Sequence, residues 1–215
     1  MGILEEVKDC FINLRGVDEV RGLAERAARE GAGFSELLEA MKEGLDVVGD
    51  RYDKGEYFLS DLIMAGIMAT EFVDALRPHL PIPTIRSKGK VIIGTIEGDI
   101  HDIGKNLVST MLSVNGFEII DIGVDVPPER FVENVEKLKP DILAISCLLT
   151  VGLPGIRRTV DLLRMKGLNV KVMIGGRPIT RDFAEELGVG YGRDAVQAVK
   201  VALELTGGKG VKPSE

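Results

Sequence analysis

The sequence predicts an α + α/β protein, an N-terminal four-helix bundle joined to a domain built on a five-stranded parallel sheet. Three observations carry the prediction. Residues 1–77 place apolar side chains at helical spacing and show no strand pattern. The stretch Pro78-His79-Leu80-Pro81-Ile82-Pro83 then forbids a continuing helix and reads as the start of a linker, residues 78–89. From Lys90 the pattern changes to short β-branched runs alternating with helical segments.

In the first region Leu4, Val7, Phe11 and Leu14 share one helical face, and Val20, Leu23, Ala24 and Ala27 another. Phe34, Leu37, Leu38, Met41, Leu45 and Val48 repeat the spacing. Breaks are expected at Arg15-Gly16, Gly31-Ala32-Gly33 and Asp53-Lys54-Gly55, because glycine ends a helix at little steric cost. The fourth segment, Phe58 to Leu76, is apolar nearly all round and is expected to be buried on several sides. Four short-looped helices make a small bundle, the expected helical cap.

In the second region, residues 90–205, Val91–Gly94, Phe117–Ile120, Ile142–Ile145 and Val170–Ile174 are the strand candidates. Helices are expected near 103–115, 128–138, 153–167, 179–187 and 194–205, with Pro128 suited to a first helical turn. Strand–helix alternation implies a parallel sheet covered on both faces, a Rossmann-like (flavodoxin-like) domain with strand order 2-1-3-4-5. Only Gly188-Val189-Gly190-Tyr191 is left for the fifth strand, and residues 206–215 read as a disordered tail. Ligands of such sheets bind beyond the carboxyl ends of the strands.

Composition narrows the partners. A net charge of −7 without a dense Lys/Arg run argues against nucleic acid and anionic membranes. The two cysteines, Cys10 and Cys147, are too few and too distant for a disulfide framework. Neither a signal-peptide pattern nor an apolar run of membrane-spanning length occurs, so a cytoplasmic protein is expected.

The chemistry-bearing residues follow three strands. After the first comes Glu97-Gly98-Asp99-Ile100-His101-Asp102-Ile103-Gly104, which places an imidazole at the sheet's ligand-binding edge. A metal-ligating His usually donates its second ring N–H to a carboxylate, and Asp99 stands two residues away. Alone, this motif is also compatible with a solvated loop. The third strand ends in Ser146-Cys147-Leu148-Leu149-Thr150 and the fourth in Gly175-Gly176. Gly104, Gly175 and Gly176 would let a bulky group approach the backbone, although a Gly-Gly after a strand is also an ordinary turn.

Taken together these positions resemble the cobalamin-binding signature Asp-x-His-x-x-Gly, Ser-x-Leu, Gly-Gly. Asp99, His101 and Gly104 match the first element; Ser146 and Leu148 follow after 41 intervening residues, and Gly175-Gly176 after 26 more. The chain is similar over nearly its whole length to the methyltransferase corrinoid proteins and to the cap plus B12-binding module of cobalamin-dependent methionine synthase. The resemblance implies a cobalamin or related corrinoid with cobalt bound base-off/His-on. His101 would be the metal ligand, Asp99 would accept from His101, and Ser146 would extend that relay; these three form the expected catalytic set. Gly104, Ser146, Leu148, Gly175 and Gly176 would line the slot for the displaced nucleotide tail, with Asp102, Ile103 and Thr150 also contacting the cofactor. Phe58 and Leu59 would cover the methyl-bearing face, or serve the bundle core.

The implied function is methyl carriage on cobalt between a substrate-specific methyltransferase and an acceptor methyltransferase in C1 metabolism, with a reductive activase as third partner. On that reading the chain is one component of a methyltransferase system and not a complete enzyme. Two departures from methylamine-type relatives bear on the donor: Thr150-Val151-Gly152 replaces consecutive threonines, and Gly188-Val189-Gly190-Tyr191 replaces Gly-Ala-Asp before the aromatic. Three alternatives stay open at this point. One is the small subunit of an adenosylcobalamin mutase, disfavoured by the helical cap. Another is a B12-dependent regulator, which would need a DNA-reading module for which the chain has no basic helix. The third is a flavodoxin-like protein holding FMN or a divalent ion through Glu97, Asp99, His101 and Asp102, which leaves Ser-x-Leu and Gly-Gly unexplained.

Overall fold

The computed structural model describes residues 2–80 and 87–207. The chain divides into two compact units, 1–86 and 87–215. In the first, α1 (Ile3–Ile12) packs on α3 (Phe34–Asp53), and α2 (Val17–Arg29) on α4 (Leu59–Leu76). The expected apolar faces make the core: Val7 and Phe11 on α1, Val20, Leu23, Ala24 and Ala27 on α2, Leu37, Met41, Leu45 and Val48 on α3. Phe11 meets Phe72 of α4 edge to face, with centroids 5.6 Å apart. A Cβ on Gly44 would lie 2.7 Å from that of Phe11, so this glycine is what lets α1 and α3 approach so closely. Tyr57, just before α4, donates its hydroxyl to the Ile12 carbonyl at 2.7 Å and receives Arg51 at 2.7 Å, tying the last turn of α1 to the α3–α4 connection.

One expectation for this unit needs correction. α4 is not enclosed on several sides: Leu62, Ala65, Met68, Ala69, Phe72 and Leu76 are buried, while Phe58, Leu59, Met64 and Ile67 are exposed. One face of α4 suffices for the bundle, so the apolar Leu59, Met64 and Ile67 outside it need a separate explanation.

The second unit holds a parallel sheet in the expected order β2-β1-β3-β4-β5. Its strands are β1 (Lys90–Thr95), β2 (Glu118–Asp121), β3 (Ile142–Ser146), β4 (Lys171–Gly175) and β5 (Gly190–Gly192). The helices are α5 (Ile103–Val114), α6 (Pro128–Leu138), α7 (Leu153–Met165), α8 (Arg181–Leu187) and α9 (Ala195–Leu205). α5 packs with α9, and α6 with α7, as right-handed crossovers on the two faces of a parallel sheet require. Ile92, Leu143, Ile145, Val172 and Ile174 join Phe131, Val135, Ile156 and Val160 in the main core.

Two boundaries differ from the sequence expectation. Gly188 is the left-handed residue that ends α8 (φ 63°), so the fifth strand starts at Gly190. Lys88 donates to the Gly116 carbonyl at 2.9 Å, so the last expected linker residues are bonded into the second unit. Of the remaining linker, residues 81–86 lie outside the described residues, as do 208–215 of the expected tail.

The register has a direct functional consequence. Thr95 pairs with Ser146, Ser146 with Gly175 and Gly175 with Gly192, so four strands end on one row. The loops that follow β1, β3 and β4 therefore leave the sheet side by side.

Candidate functional site

At the end of that row β1 continues through Ile96, which bridges to Val126, and the chain then turns at Gly98 (φ 83°). The Asp99 N–H donates to the Ile96 carbonyl at 3.1 Å, closing the turn and folding the Asp99 side chain inward. Asp99 has no solvent exposure. Its Oδ1 accepts the backbone N–H of His101 at 3.0 Å and pairs with His101 Nδ1 at 2.6 Å. Its Oδ2 accepts the backbone N–H groups of Leu148 and, at 3.2 Å, Leu149. An ionised carboxylate has about four acceptor positions, and all of them are used here.

Burial pushes the Asp99 carboxyl up, but the Leu148 and His101 amides, the His101 ring and the Leu149 amide together hold it below its ordinary value of 3.8. An ionised Asp99 requires a proton on Nδ1, and in the neutral ring that arrangement leaves the lone pair on Nε2. The His101 side chain is 51% exposed. Its carbonyl accepts the hydroxyl of the fully buried Thr95 at 3.0 Å. The result is an oriented, solvent-accessible nitrogen donor on a rigid base.

The expected relay through Ser146 is different in the structure. The Ser146 carbonyl accepts from Ile96 at 3.0 Å, but its hydroxyl is not among the partners of Asp99. The reason is the turn after β3, which points two consecutive amides, those of Leu148 and Leu149, at the carboxylate. Charged-acceptor bonds of this kind need only main-chain donors, so residue type at these positions was a poor guide.

The glycine pair is demanded first by the protein's own backbone. A Cβ on Gly176 (φ 126°) would fall 1.8 Å from the Cys147 carbonyl oxygen, and one on Gly175 would fall 2.6 Å from that of Gly192. Cys147 N–H donates to the Gly175 carbonyl at 3.0 Å, so the β3 and β4 loops are in direct backbone contact. Gly104 is the opposite case. A Cβ there would meet nothing within 4 Å, so this face of the first turn of α5 is open to a ligand.

Large apolar side chains are exposed on the loops at the same sheet edge. Ile100 and Ile103 after β1, Val124 after β2, and Leu148, Leu149 and Val151 after β3 are all exposed; Met165 on α7 is the one exposed large apolar side chain of the second unit away from this edge, among the described residues. Thr150 opens the short 3-10 turn Thr150–Gly152 and is exposed beside them. A broad apolar surface around one nitrogen donor and an open glycine fits a large, flat, apolar macrocycle bearing a metal. Asp102 precedes α5 and receives Asn106 Nδ2 at 3.2 Å. The divalent-ion alternative loses its support: no three His, Cys, Asp or Glu side chains among the described residues converge to hold an ion.

Comparison with known proteins decides which macrocycle. Residues 89–200 match the B12 binding domain family, and residues 3–77 match a second family described as B12 binding domain. The chain is 41% identical over 208 residues to dimethylamine corrinoid protein 1 of Methanosarcina acetivorans, covering 94% of this chain and 97% of that one. This chain belongs to the corrinoid-protein family. Among solved structures, a cobalamin-binding protein from Desulfitobacterium hafniense superposes with a TM-score of 0.73 at 36% identity, covering 94% of this corrinoid protein and 98% of that chain. The methanol:cobalamin methyltransferase complex of Methanosarcina barkeri superposes with a TM-score of 0.79 at 29% identity, covering 96% and 80%.

The cofactor of this corrinoid protein is thus cobalamin or a related corrinoid. Phe58 and Leu59 lie in the first unit, at the start of α4, and are 70% and 55% exposed; they are surface side chains and not bundle core. Among the described residues no helix is long and apolar enough to cross a membrane.

Three contributors carry no position in the sequence signature. Thr95 holds the His101 carbonyl, and Asp125 bonds to the Gly98–Asp99 segment. Lys105, 4% exposed, reaches Asp121 at the end of β2 and, at 2.7 Å, Asn106. A lysine in the first turn of a helix opposes the helix dipole, and that local conflict was the available signal that it has an anionic partner.

Proposed function

We propose that the chain carries a methyl group on corrinoid cobalt, with His101 Nε2 as the protein atom that would hold the metal. The observation that supports this most directly is the Asp99–His101 pair. The carboxylate is saturated by N–H donors, so it holds the ring and its tautomer while itself unable to compete for the metal. When bound, the corrinoid supplies a cobalt centre that accepts and releases the methyl group. The protein's part is to orient Nε2, to keep a proton on Nδ1 and to surround the ring with apolar side chains that exclude water. Gly104 leaves room for the nucleotide tail, with Ser146, Leu148, Thr150, Gly175 and Gly176 along its path. Asp102 and Ile103 flank it at the start of α5. Phe58 and Leu59 supply apolar surface for the methyl-bearing face.

The chain then serves a substrate-specific methyltransferase on one side and an acceptor methyltransferase on the other, with a reductive activase to restore oxidised cobalt, in the cytoplasm. The relatives named for dimethylamine make a methylated amine the first donor to test. The direct test adds hydroxocobalamin to the purified chain, removes excess by gel filtration and records the visible spectrum. A one-to-one coloured complex whose spectrum reports histidine coordination, lost in His101→Ala, supports the assignment. Retained colour with no change in His101→Ala removes His101 as the ligand. Pull-down of the partner methyltransferase from the source cells then identifies the donor.

A further inference from the structure

The segment that follows β2 runs alongside the end of β1. Thr95 N–H donates to the Gly123 carbonyl at 3.0 Å, Val126 N–H to the Thr95 carbonyl at 3.0 Å, and Glu97 N–H to the Val126 carbonyl at 2.9 Å. At its centre Asp125 adopts φ 52°, a left-handed conformation uncommon for any residue with a Cβ and best tolerated by Asp and Asn. That conformation lets one residue make two contacts to the neighbouring turn. Its carboxylate Oδ1 accepts the Gly98 N–H at 2.7 Å, and its own N–H donates to the Asp99 carbonyl at 3.0 Å.

These contacts hold the peptide groups on both sides of the Gly98–Asp99 step. The peptide between them is held by the Asp99 N–H bond to the Ile96 carbonyl at 3.1 Å, so with the clamp in place the backbone on both sides of the Asp99 Cα is fixed and the side chain is aimed inward. The far end is fixed separately by Leu148 and Leu149. Asp125 is itself exposed, and its bonds run to the backbone of Gly98 and Asp99, so its effect on the site passes through that turn. A second anchor holds the same segment. Asp121 Oδ1 accepts the Gly123 N–H at 2.9 Å while Oδ2 takes buried Lys105 of α5.

We propose that Asp125 is a positioning residue for the Asp99–His101 pair, acting by clamping Gly98 and Asp99 from the β2–α6 connection. The proposal rests on the reading of His101 as the cobalt ligand. Asp125→Gly isolates the carboxylate, because glycine keeps the left-handed backbone and the amide bond while removing the acceptor. Asp125→Asn keeps an acceptor oxygen and tolerates the same backbone.

The test has two readouts on the full chain. In the cofactor-free protein, amide hydrogen exchange at Gly98 and Asp99 should rise in Asp125→Gly, by roughly 2- to 10-fold for the loss of one hydrogen bond, and stay at the wild-type rate in Asp125→Asn. After addition of hydroxocobalamin, Asp125→Gly should show a smaller histidine-coordinated fraction in the visible spectrum, with Asp125→Asn again like wild type. Unchanged exchange and an unchanged spectrum in Asp125→Gly would overturn the proposal, as would an Asp125→Asn variant as impaired as Asp125→Gly. If the wild-type spectrum shows no histidine coordination, the His101 reading fails and Asp125 loses its role in ligand positioning with it; the exchange readout alone then tells whether the clamp exists.

Discussion

Asp99 and Leu148 are joined by a hydrogen bond from the Leu148 amide to Asp99 Oδ2, across a separation of 49 residues. This contact locks the loop after β1 to the loop after β3. It also explains why two elements of the signature, each unremarkable alone, belong to one site: the carboxylate that orients His101 is itself held by the backbone beside Leu148.

The Asp99→Asn variant should be less stable by about 1–3 kcal/mol, since one amide NH2 would face backbone N–H groups that now find an oxygen. Urea unfolding of the cofactor-free chain measures this. The acid limb should change as well. Because the folded-state pKa of Asp99 is lowered, its stabilising contribution is complete above the ordinary value of 3.8 and is lost as pH falls through the lowered value. The wild type should therefore lose more stability than the variant as pH falls from the ordinary value down through the lowered one.

Two glycines should respond in opposite ways. Gly176→Ala places a methyl group 1.8 Å from the Cys147 carbonyl at a positive φ and should cost about 3 kcal/mol or more, or prevent folding. Gly104→Ala meets nothing and should be neutral or stabilising by up to about 1 kcal/mol. Thermal denaturation gives both values, and cobalamin retention should fall in Gly104→Ala if the nucleotide tail approaches there.

Lys105 and Asp121 should not be equivalent. Asp121→Ala leaves a 4% exposed ammonium with only Asn106 opposite, whereas Lys105→Met leaves a carboxylate that is 39% exposed and can hydrate. Asp121→Ala should therefore be the more destabilising by about 1–2 kcal/mol, below the range for a fully buried pair because of that exposure. Denaturant midpoints of the two single variants and the double variant test this.

Phe58 and Leu59 should separate stability from binding. Both are exposed, so Phe58→Ala and Leu59→Ala should change the unfolding free energy by no more than about 0.5 kcal/mol. Cobalamin retention after gel filtration should nevertheless decrease. Equal retention would remove both from the cofactor's surroundings.

The thiols should be inert in the native chain. Burial pushes Cys10 and Cys147 up to about 11, and the Asp99 charge adds to the effect at Cys147. Alkylation by iodoacetamide at pH 8 should be slow for both and become rapid once denaturant is added.

Much of this was legible in the sequence because the relevant signals are local. Helical and strand periods, the glycines at Gly16, Gly31 and Gly55, and the three motif segments each depend on residues within a few positions of one another. Strand order followed from the alternation of strands and helices, and Asp99 beside His101 from the chemistry of metal-bound imidazole. Other features were not legible. Backbone amides carry no side-chain identity, so nothing marked Leu148 and Leu149 as donors to Asp99. The clash that fixes Gly176 involves a carbonyl on another strand's loop. Leu59, Met64 and Ile67 on the exposed face of α4 are as apolar as the residues it buries, and only packing distinguishes them.

The sequence by itself thus determined the elements, their order and the Asp99–His101 pairing, because those are written in side-chain type and spacing. Only the tertiary structure decided what holds Asp99, which glycine stays open, and that Asp125 reaches the same turn. Those outcomes depend on where main-chain donors and acceptors of distant segments meet, and every residue type except proline carries the same ones.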